Sequence, residues 1–257
     1  MNIAGDIIEY METLQDEDQR RVLMRFFKTG PGEYGEGDEF LGLKVPQTKE
    51  VVSLVSKDFP LTEIPELLMS RWHEVRLCGL LILVSKFERL SKKRLVNDTE
   101  AIRKRDEILS VYLRHAGQAN NWDLVDLSAP KILGQWLLLP TAMAKDVDEK
   151  RYKLQVLDEL ALSDNLWRQR MSMVCTWKTS QQGDASWCLR YAEIHLHHPH
   201  DLMHKAVGWM LREMGKRVSM DLLREFLRLH IHEMPRTMLR YAIELMSDDE
   251  RNEWMKK

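Results

Sequence analysis

Apolar residues recur every three to four positions along almost the whole chain, and this spacing most constrains the fold. Ala101–His115 and Tyr152–Leu162, for example, each place their apolar side chains on one face of a helix. Short connectors separate about a dozen such segments, and none shows the two-residue alternation of a β-strand. Glycine and proline are scarce, whereas leucine, arginine, lysine and glutamate are plentiful. The sequence therefore predicts an all-α fold.

A weak internal repeat indicates how the helices are arranged. Four helix starts resemble one another: Glu74–Leu81, Trp122–Pro130, Arg168–Cys175 and Met203–Met210. The polar residues at their equivalent positions are Arg76, Asp126, Arg170 and Lys205. Separations of roughly 35 to 50 residues are typical of HEAT or armadillo helix pairs, which stack into a curved solenoid. We therefore predict a single domain of antiparallel helix pairs over residues 1–257, with these side chains on its concave surface. An irregular helical bundle is the alternative.

One segment breaks the helical pattern. Gly30–Leu43 holds five glycines and a proline, which predicts a short hairpin or loop inserted between helices. It contains the spacing GxGxxG, but it follows a helix rather than a strand. It also carries four acids that would repel a pyrophosphate: Glu33, Glu36, Asp38 and Glu39. We therefore exclude a dinucleotide site here.

Charge and cysteine content narrow the class of protein. The net charge is only −2, but the first seventy residues are acidic, whereas the region from Asn165 to Arg240 is basic and could hold a polyanion. Three widely spaced cysteines without a CxxC pair argue against disulfides and a thiolate zinc site, and favour the cytoplasm. No apolar run is long enough to span a membrane, and the acidic start does not resemble a signal peptide.

Trp122 and Asp126 are the first candidates for chemistry. They are four residues apart and share a helix face, and Pro130 should disturb the helix at the carbonyl of Asp126. A carboxylate beside an indole at a helix irregularity is typical of a functional site. The alternative is a solvated carboxylate beside a core tryptophan. Asp123 has a simpler interpretation, since an acid in the first turn favours the helix dipole.

Further candidates lie in the basic half. Arg170 flanks the apolar stripe of its helix, although a lone arginine is usually a solvated cation. Gly208, before Trp209, is costly inside a helix, and this indicates close approach by another backbone or by a ligand. Several histidines cluster between His195 and His204. No acidic partner has the spacing of a zinc motif, so we expect neither a metal nor a cofactor.

These motifs resemble the AlkD-like DNA alkylation-repair glycosylases. The resemblance is carried by WDLVD at Trp122–Asp126, by NLWRQR ending in Arg170 and by KAVGWMLRE around Trp209, and extends from MRFFK to PRTMLRYAIE. It implies a curved stack of HEAT-like helix pairs that holds duplex DNA carrying an N3- or N7-alkylated purine. It also implies a monofunctional glycosylase without lyase activity. The charged outer faces of the terminal repeats favour a monomer.

The resemblance assigns roles to individual residues. Asp126 matches the catalytic carboxylate, Trp122 and Trp209 the aromatic pair beside the damaged nucleotide's sugar, and Arg170 the arginine at the lesion-side phosphate. Phe26, in MRFFK, matches an aromatic residue near the DNA. The further cations expected to bind DNA are Arg76, Lys205 and Arg240.

The Gly30–Leu43 insertion departs from the simplest members of that family. It resembles a hairpin in a subgroup, some of whose members bind branched DNA and excise alkylated bases poorly. Tyr34, Phe40 and Leu41 could then probe a groove or junction. A non-catalytic binder of branched or distorted DNA is therefore the alternative function, and a protein-binding scaffold is a third.

Overall fold

The computed structural model describes residues 3–145 and 147–256, and it confirms the all-α prediction. In the first part of the chain the helices are α1 (Ala4–Thr13), α2 (Glu17–Phe26), α3 (Val45–Val55), α4 (Ile64–Leu68), α5 (His73–Leu90), α6 (Thr99–Arg114) and α7 (Trp122–Ser128). They are followed by α8 (Gln135–Leu137), α9 (Glu149–Ala161), α10 (Leu166–Val174), α11 (Thr176–Gln181) and α12 (Ser186–Ile194). The last helices are α13 (Asp201–Arg217), α14 (Met220–His230), α15 (Arg236–Ala242) and α16 (Asp248–Lys256).

Local sequence explains where many of these helices begin. At the start of α2, α6, α9, α10 and α14, a short polar side chain accepts a hydrogen bond from an amide of the first turn. These capping residues are Asp16, Asp98, Asp148, Asn165 and Ser219. The predicted irregularity at Pro130 is also present. Helix α7 ends at Ser128, and Pro130–Gly134 forms a turn of π-helix.

The chain divides into two compact units. The first comprises the chain up to Ser128 together with Leu139–Lys145, and the second comprises Ala129–Leu138 and the chain beyond residue 145. The predicted single domain over residues 1–257 stays a prediction. Helix α5 lies at the centre of the first unit, where it packs against α3, α4, α6 and α7. In the second unit α13 packs against α10, α11, α14 and α15.

The Gly30–Leu43 insertion is a loop and not a hairpin. None of its residues belongs to a β-strand, and its one bridge joins Glu39 to Trp72. Phe40 is fully buried and Leu41 is 1% exposed, so the expectation that these two side chains probe DNA is wrong. Tyr34 is half-buried. The apolar end of the loop is therefore part of the core of the first unit.

The structure confirms the close approach that the sequence predicted at Gly208 from the cost of a glycine inside a helix. A Cβ atom at this position would lie 2.4 Å from the carbonyl oxygen of Met238 and 2.6 Å from the Cβ of Tyr241. Both residues belong to α15, so the missing side chain allows α13 and α15 to pack at short distance.

Gly208→Ala is expected to reduce the free energy of unfolding by about 1–3 kcal/mol, because the added methyl group must push α15 away. Urea unfolding measures this change. Gly5→Ala is the matched control, since Gly5 lies in α1 with no atom within 4 Å of its Cβ position. Alanine there should leave stability unchanged or raise it. Equal effects of the two substitutions would contradict the packing role of Gly208.

Candidate nucleic-acid interface

Phe26 and Trp122 form an aromatic corner on the surface of the first unit. Phe26 ends α2 and is 59% exposed, and Trp122 begins α7 and is half-buried. Their ring centroids lie 5.9 Å apart in an edge-to-face arrangement. Asp126 follows one turn along α7 and is also half-buried. The structure thus places three of the predicted site residues around the start of one helix.

A stack of rings connects this corner to the interior. Phe27 stacks on Trp122 with centroids 5.4 Å apart, and on Phe40 at 5.2 Å. Phe40 in turn stacks on the imidazole of His73 at 4.4 Å. The indole of Trp122 is therefore supported by Phe26 and Phe27 at the end of α2. Phe40 of the glycine-rich loop continues the stack from Phe27 to the buried His73.

His73, the first residue of α5, is held between two carboxylates. Its Nδ1 lies 2.8 Å from Oδ2 of Asp38, and its Nε2 lies 2.9 Å from Oδ2 of Asp123. All three side chains are buried. Burial alone would lower the pKa of His73, but Asp123 and Asp38 outweigh it and raise the pKa to about 9. The imidazole is therefore protonated at neutral pH.

Arg76 belongs to the same buried cluster. Its guanidinium pairs with Asp38 and donates to the carbonyl oxygens of Ser70 and Arg71. Burial would raise the pKa of the Asp38 carboxyl, but His73 and Arg76 hold it below its ordinary value. Arg76 is 4% exposed, so its placement does not support the predicted contact with DNA. The structure assigns it instead to the anchoring of the loop.

Glu74 fixes the end of the same loop. Its carboxylate accepts backbone hydrogen bonds from Leu41, Gly42 and Leu43, at 2.9, 2.9 and 3.0 Å. The side chain is buried, and these bonds satisfy three amides that have no partner in a helix. Together, Glu74 and His73 attach the loop to the first turn of α5.

Asp123 has the predicted structural role in the first turn of α7 and makes a further contact. It lies in the first turn of α7, as a dipole-stabilising acid would, but its carboxylate is buried and bonds His73 on another helix. The side chain that accepts a hydrogen bond at the start of α7 is that of Asn121, from the amide of Trp122. Asp123 therefore links α7 to α5.

The other predicted site residues lie in the second unit. Arg170, on α10, is 5% exposed, and its Nη1 donates to the carbonyl oxygen of Leu202 at 2.6 Å. Trp209, on α13, is half-buried. Lys205 pairs with Asp201 at 2.8 Å. Arg240, on α15, is exposed. The roles of these four residues in DNA binding stay predictions.

Ring nitrogens of the histidine cluster make hydrogen bonds to nearby side chains and backbone. His195 Nε2 bonds the hydroxyl of Ser172, and His198 Nε2 bonds the side chain of Gln169. The Nδ1 atom of His200 accepts from the amide of Leu202. In the described part of the chain, no three His, Cys, Asp or Glu side chains group as metal ligands.

The described helices are too short or too polar to cross a lipid bilayer.

The packed helices and the aromatic–carboxylate corner define a helical-repeat protein with a candidate nucleic-acid site. A family model described as "DNA alkylation repair enzyme" matches residues 7–246, and the chain belongs to this family. No curated protein matches the chain. Among solved structures, one described as a predicted DNA alkylation repair enzyme from Enterococcus faecalis is similar, with a TM-score of 0.61 and 13% identity. The alignment covers 91% of this chain and 97% of that one.

These comparisons confirm the fold and the predicted family. The structural similarity, at low identity, supports the predicted helical solenoid class. Membership of the family gives the protein a role in the repair of alkylated DNA, with DNA as its substrate.

Proposed function

We propose that the protein is a DNA glycosylase that hydrolyses the N-glycosidic bond of cationic N3- or N7-alkylated purines in duplex DNA. Membership of the alkylation-repair family supports this proposal, and the observation that carries it is the corner formed by Phe26 and Trp122 with Asp126 one turn away. The corner offers indole and phenyl surface to a nucleotide and a carboxylate to its sugar.

The chemistry requires few groups because the substrate is already activated. An alkylated purine carries a positive charge, so it leaves as a neutral base without protonation by an acid. The C1′–N bond breaks, and positive charge develops on the sugar as in an oxocarbenium ion. The carboxylate of Asp126 would stabilise that charge, and the face of Trp122 would attract it. Water then adds to C1′ and gives up a proton to the carboxylate or to solvent.

Other proposed contacts hold the duplex. In the second unit, the family resemblance assigns Trp209 to the sugar of the damaged nucleotide and Arg170 to the lesion-side phosphate. Lys205 and Arg240 would contact the DNA backbone. The proposed site uses a carboxylate and no amine nucleophile, so no lyase step is expected. We expect a monomer in the cytoplasm, in keeping with three free, buried cysteines.

The alternative function, binding of branched DNA without catalysis, depended on the insertion reaching the DNA. Phe40 and Leu41 lie in the core instead. Of the three apolar side chains that favoured this alternative, only the half-buried Tyr34 remains at the surface of the loop, and the alternative stays a prediction.

Single-turnover release of 7-methylguanine from a defined duplex tests the proposal. With protein in excess at neutral pH, release should exceed spontaneous depurination in buffer, and the product strand should stay uncut until alkali is added. Absence of release by folded protein would overturn the proposal. If the protein then bound a four-way junction more tightly than linear duplex, the branched-DNA alternative would take its place.

A further inference from the structure

The cluster around His73 joins three elements that are distant in sequence. Asp38 comes from the glycine-rich loop, His73 from the first turn of α5 and Asp123 from the first turn of α7. Trp122 precedes Asp123 directly, and Asp126 follows it on the same helix. Any movement of Asp123 therefore moves the helix start that carries the proposed site.

We propose that His73 is a positioning residue of the proposed glycosylase: clamped between Asp38 and Asp123, it fixes the first turn of α7 and thereby the ring of Trp122 and the carboxylate of Asp126. This inference rests on the proposed function. It assigns a purpose to the glycine-rich loop, which supplies Asp38 and Phe40.

The geometry requires the protonated imidazole. A neutral histidine has one donor nitrogen and one acceptor nitrogen, so one of its two carboxylate contacts would join two acceptors. Only the imidazolium donates to Asp38 and to Asp123 at once. The charged groups around it are Asp38 from the loop, Asp123 from α7 and, through Asp38, Arg76 from α5 itself. The high pKa of His73, about 9, agrees with this arrangement.

The ring stack gives a second connection to the site. Phe27 lies 5.0 Å from the imidazole of His73 and 5.4 Å from the indole of Trp122, measured between ring centroids. Trp122 is therefore linked to His73 both through the backbone of α7 and through Phe27. Loss of the proton would break one hydrogen bond of the clamp, and both connections would loosen.

A pH titration of the Trp122 indole by ¹⁵N NMR tests the inference without any measurement of activity. The Trp122 signal is assigned by its loss in Trp122→Phe. In the wild type it should shift with a midpoint near pH 9. In His73→Gln, which lacks the titrating group, that shift should be absent. His195→Gln is the matched control because His195 is equally buried, but it bonds Ser172 and no carboxylate. It should retain the shift.

Activity provides the second measurement. His73→Gln should lower the single-turnover rate at least about tenfold, since small displacements of reacting groups are costly. The dissociation constant for the duplex should change little, whereas a general loss of structure would weaken both. His195→Gln should keep the wild-type rate.

The two proposals can fail separately. Release of base by the wild type with no Trp122 shift near pH 9 overturns the role of His73 and leaves the glycosylase. A Trp122 shift without base release overturns the glycosylase, and with it the catalytic purpose of the clamp. If His73→Gln does not fold, the wild-type titration and the Asp38→Asn variant still test the role of His73. Asp38→Asn removes one of the two carboxylates that bind His73, so the midpoint of the Trp122 shift should move to lower pH.

Discussion

Asp126→Asn is expected to lower the single-turnover rate of 7-methylguanine release by about 10²–10³-fold, the usual cost of removing one group that stabilises transition-state charge. Asparagine has nearly the shape of aspartate but carries no negative charge. It can neither stabilise the oxocarbenium-like sugar nor accept a proton from water. In the ground state the positive charge lies on the base and not on the sugar that Asp126 would face, so binding of the duplex should change little.

Asp18→Asn is the matched control for this experiment. Asp18 lies on α2 of the same unit, with its side chain 96% exposed, and it pairs with Arg21 at 3.8 Å. Removal of its charge alters the net charge of the protein as Asp126→Asn does. The control should release base at the wild-type rate. An Asp126→Asn variant that kept more than about a third of the wild-type rate would remove Asp126 from the mechanism.

The sequence predicted those features that depend on local spacing. Helical periodicity gave the all-α fold, and the i,i+4 relation of Trp122 to Asp126 placed both at the start of one helix. The cost of glycine in a helix predicted the close approach at Gly208, and the structure shows it against α15. Each of these inferences needs only neighbouring residues and the geometry of a helix.

The buried cluster could not be predicted in that way. His73 meets Asp38 and Asp123 across 35 and 50 residues of sequence, and no periodicity connects a glycine-rich loop to two helix starts. The acids of the loop were interpreted by charge alone, although Asp38 is 4% exposed and paired. Arg76 shows the same limit. Its repeat position predicted a ligand-binding cation, whereas its guanidinium pairs with Asp38 of the loop in the structure.

One signal in the sequence could have shown that the loop is anchored. Phe40, Leu41 and Leu43 form a short apolar run at the end of the glycine-rich segment, and a loop that buries such residues needs partners for its backbone amides. The sequence offers several carboxylates as acceptors, among them Asp38, Glu74 and Asp123. Which of them accepts from these amides depends on the packing of α5, and the structure shows that it is Glu74.

Glu74→Ala is expected to reduce the free energy of unfolding by about 4 kcal/mol, because it leaves three buried amides without an acceptor and each costs about 1–3 kcal/mol. The loop cannot easily rearrange to recover these bonds. Gly42 has a φ of 92°, and a Cβ atom there would lie 2.1 Å from the carbonyl oxygen of Asp16, so its backbone is enclosed. Urea unfolding measures the change in stability, and amide exchange of residues 41–43 shows where it arises.

Glu33→Ala separates the loss of buried hydrogen bonds from the loss of a loop carboxylate. Glu33 accepts from the amide of Gly30 in the same loop, at 2.9 Å, but its side chain is 41% exposed and water can replace it. Its substitution should cost less than about 1 kcal/mol, as for other exposed contacts. Equal losses in the two variants, or unchanged exchange at Leu41 and Leu43 in Glu74→Ala, would show that Glu74 does not anchor the loop. If Glu74 does anchor the loop, then the placement of Asp38 beside His73 depends on the carboxylate of the residue that follows His73 in α5.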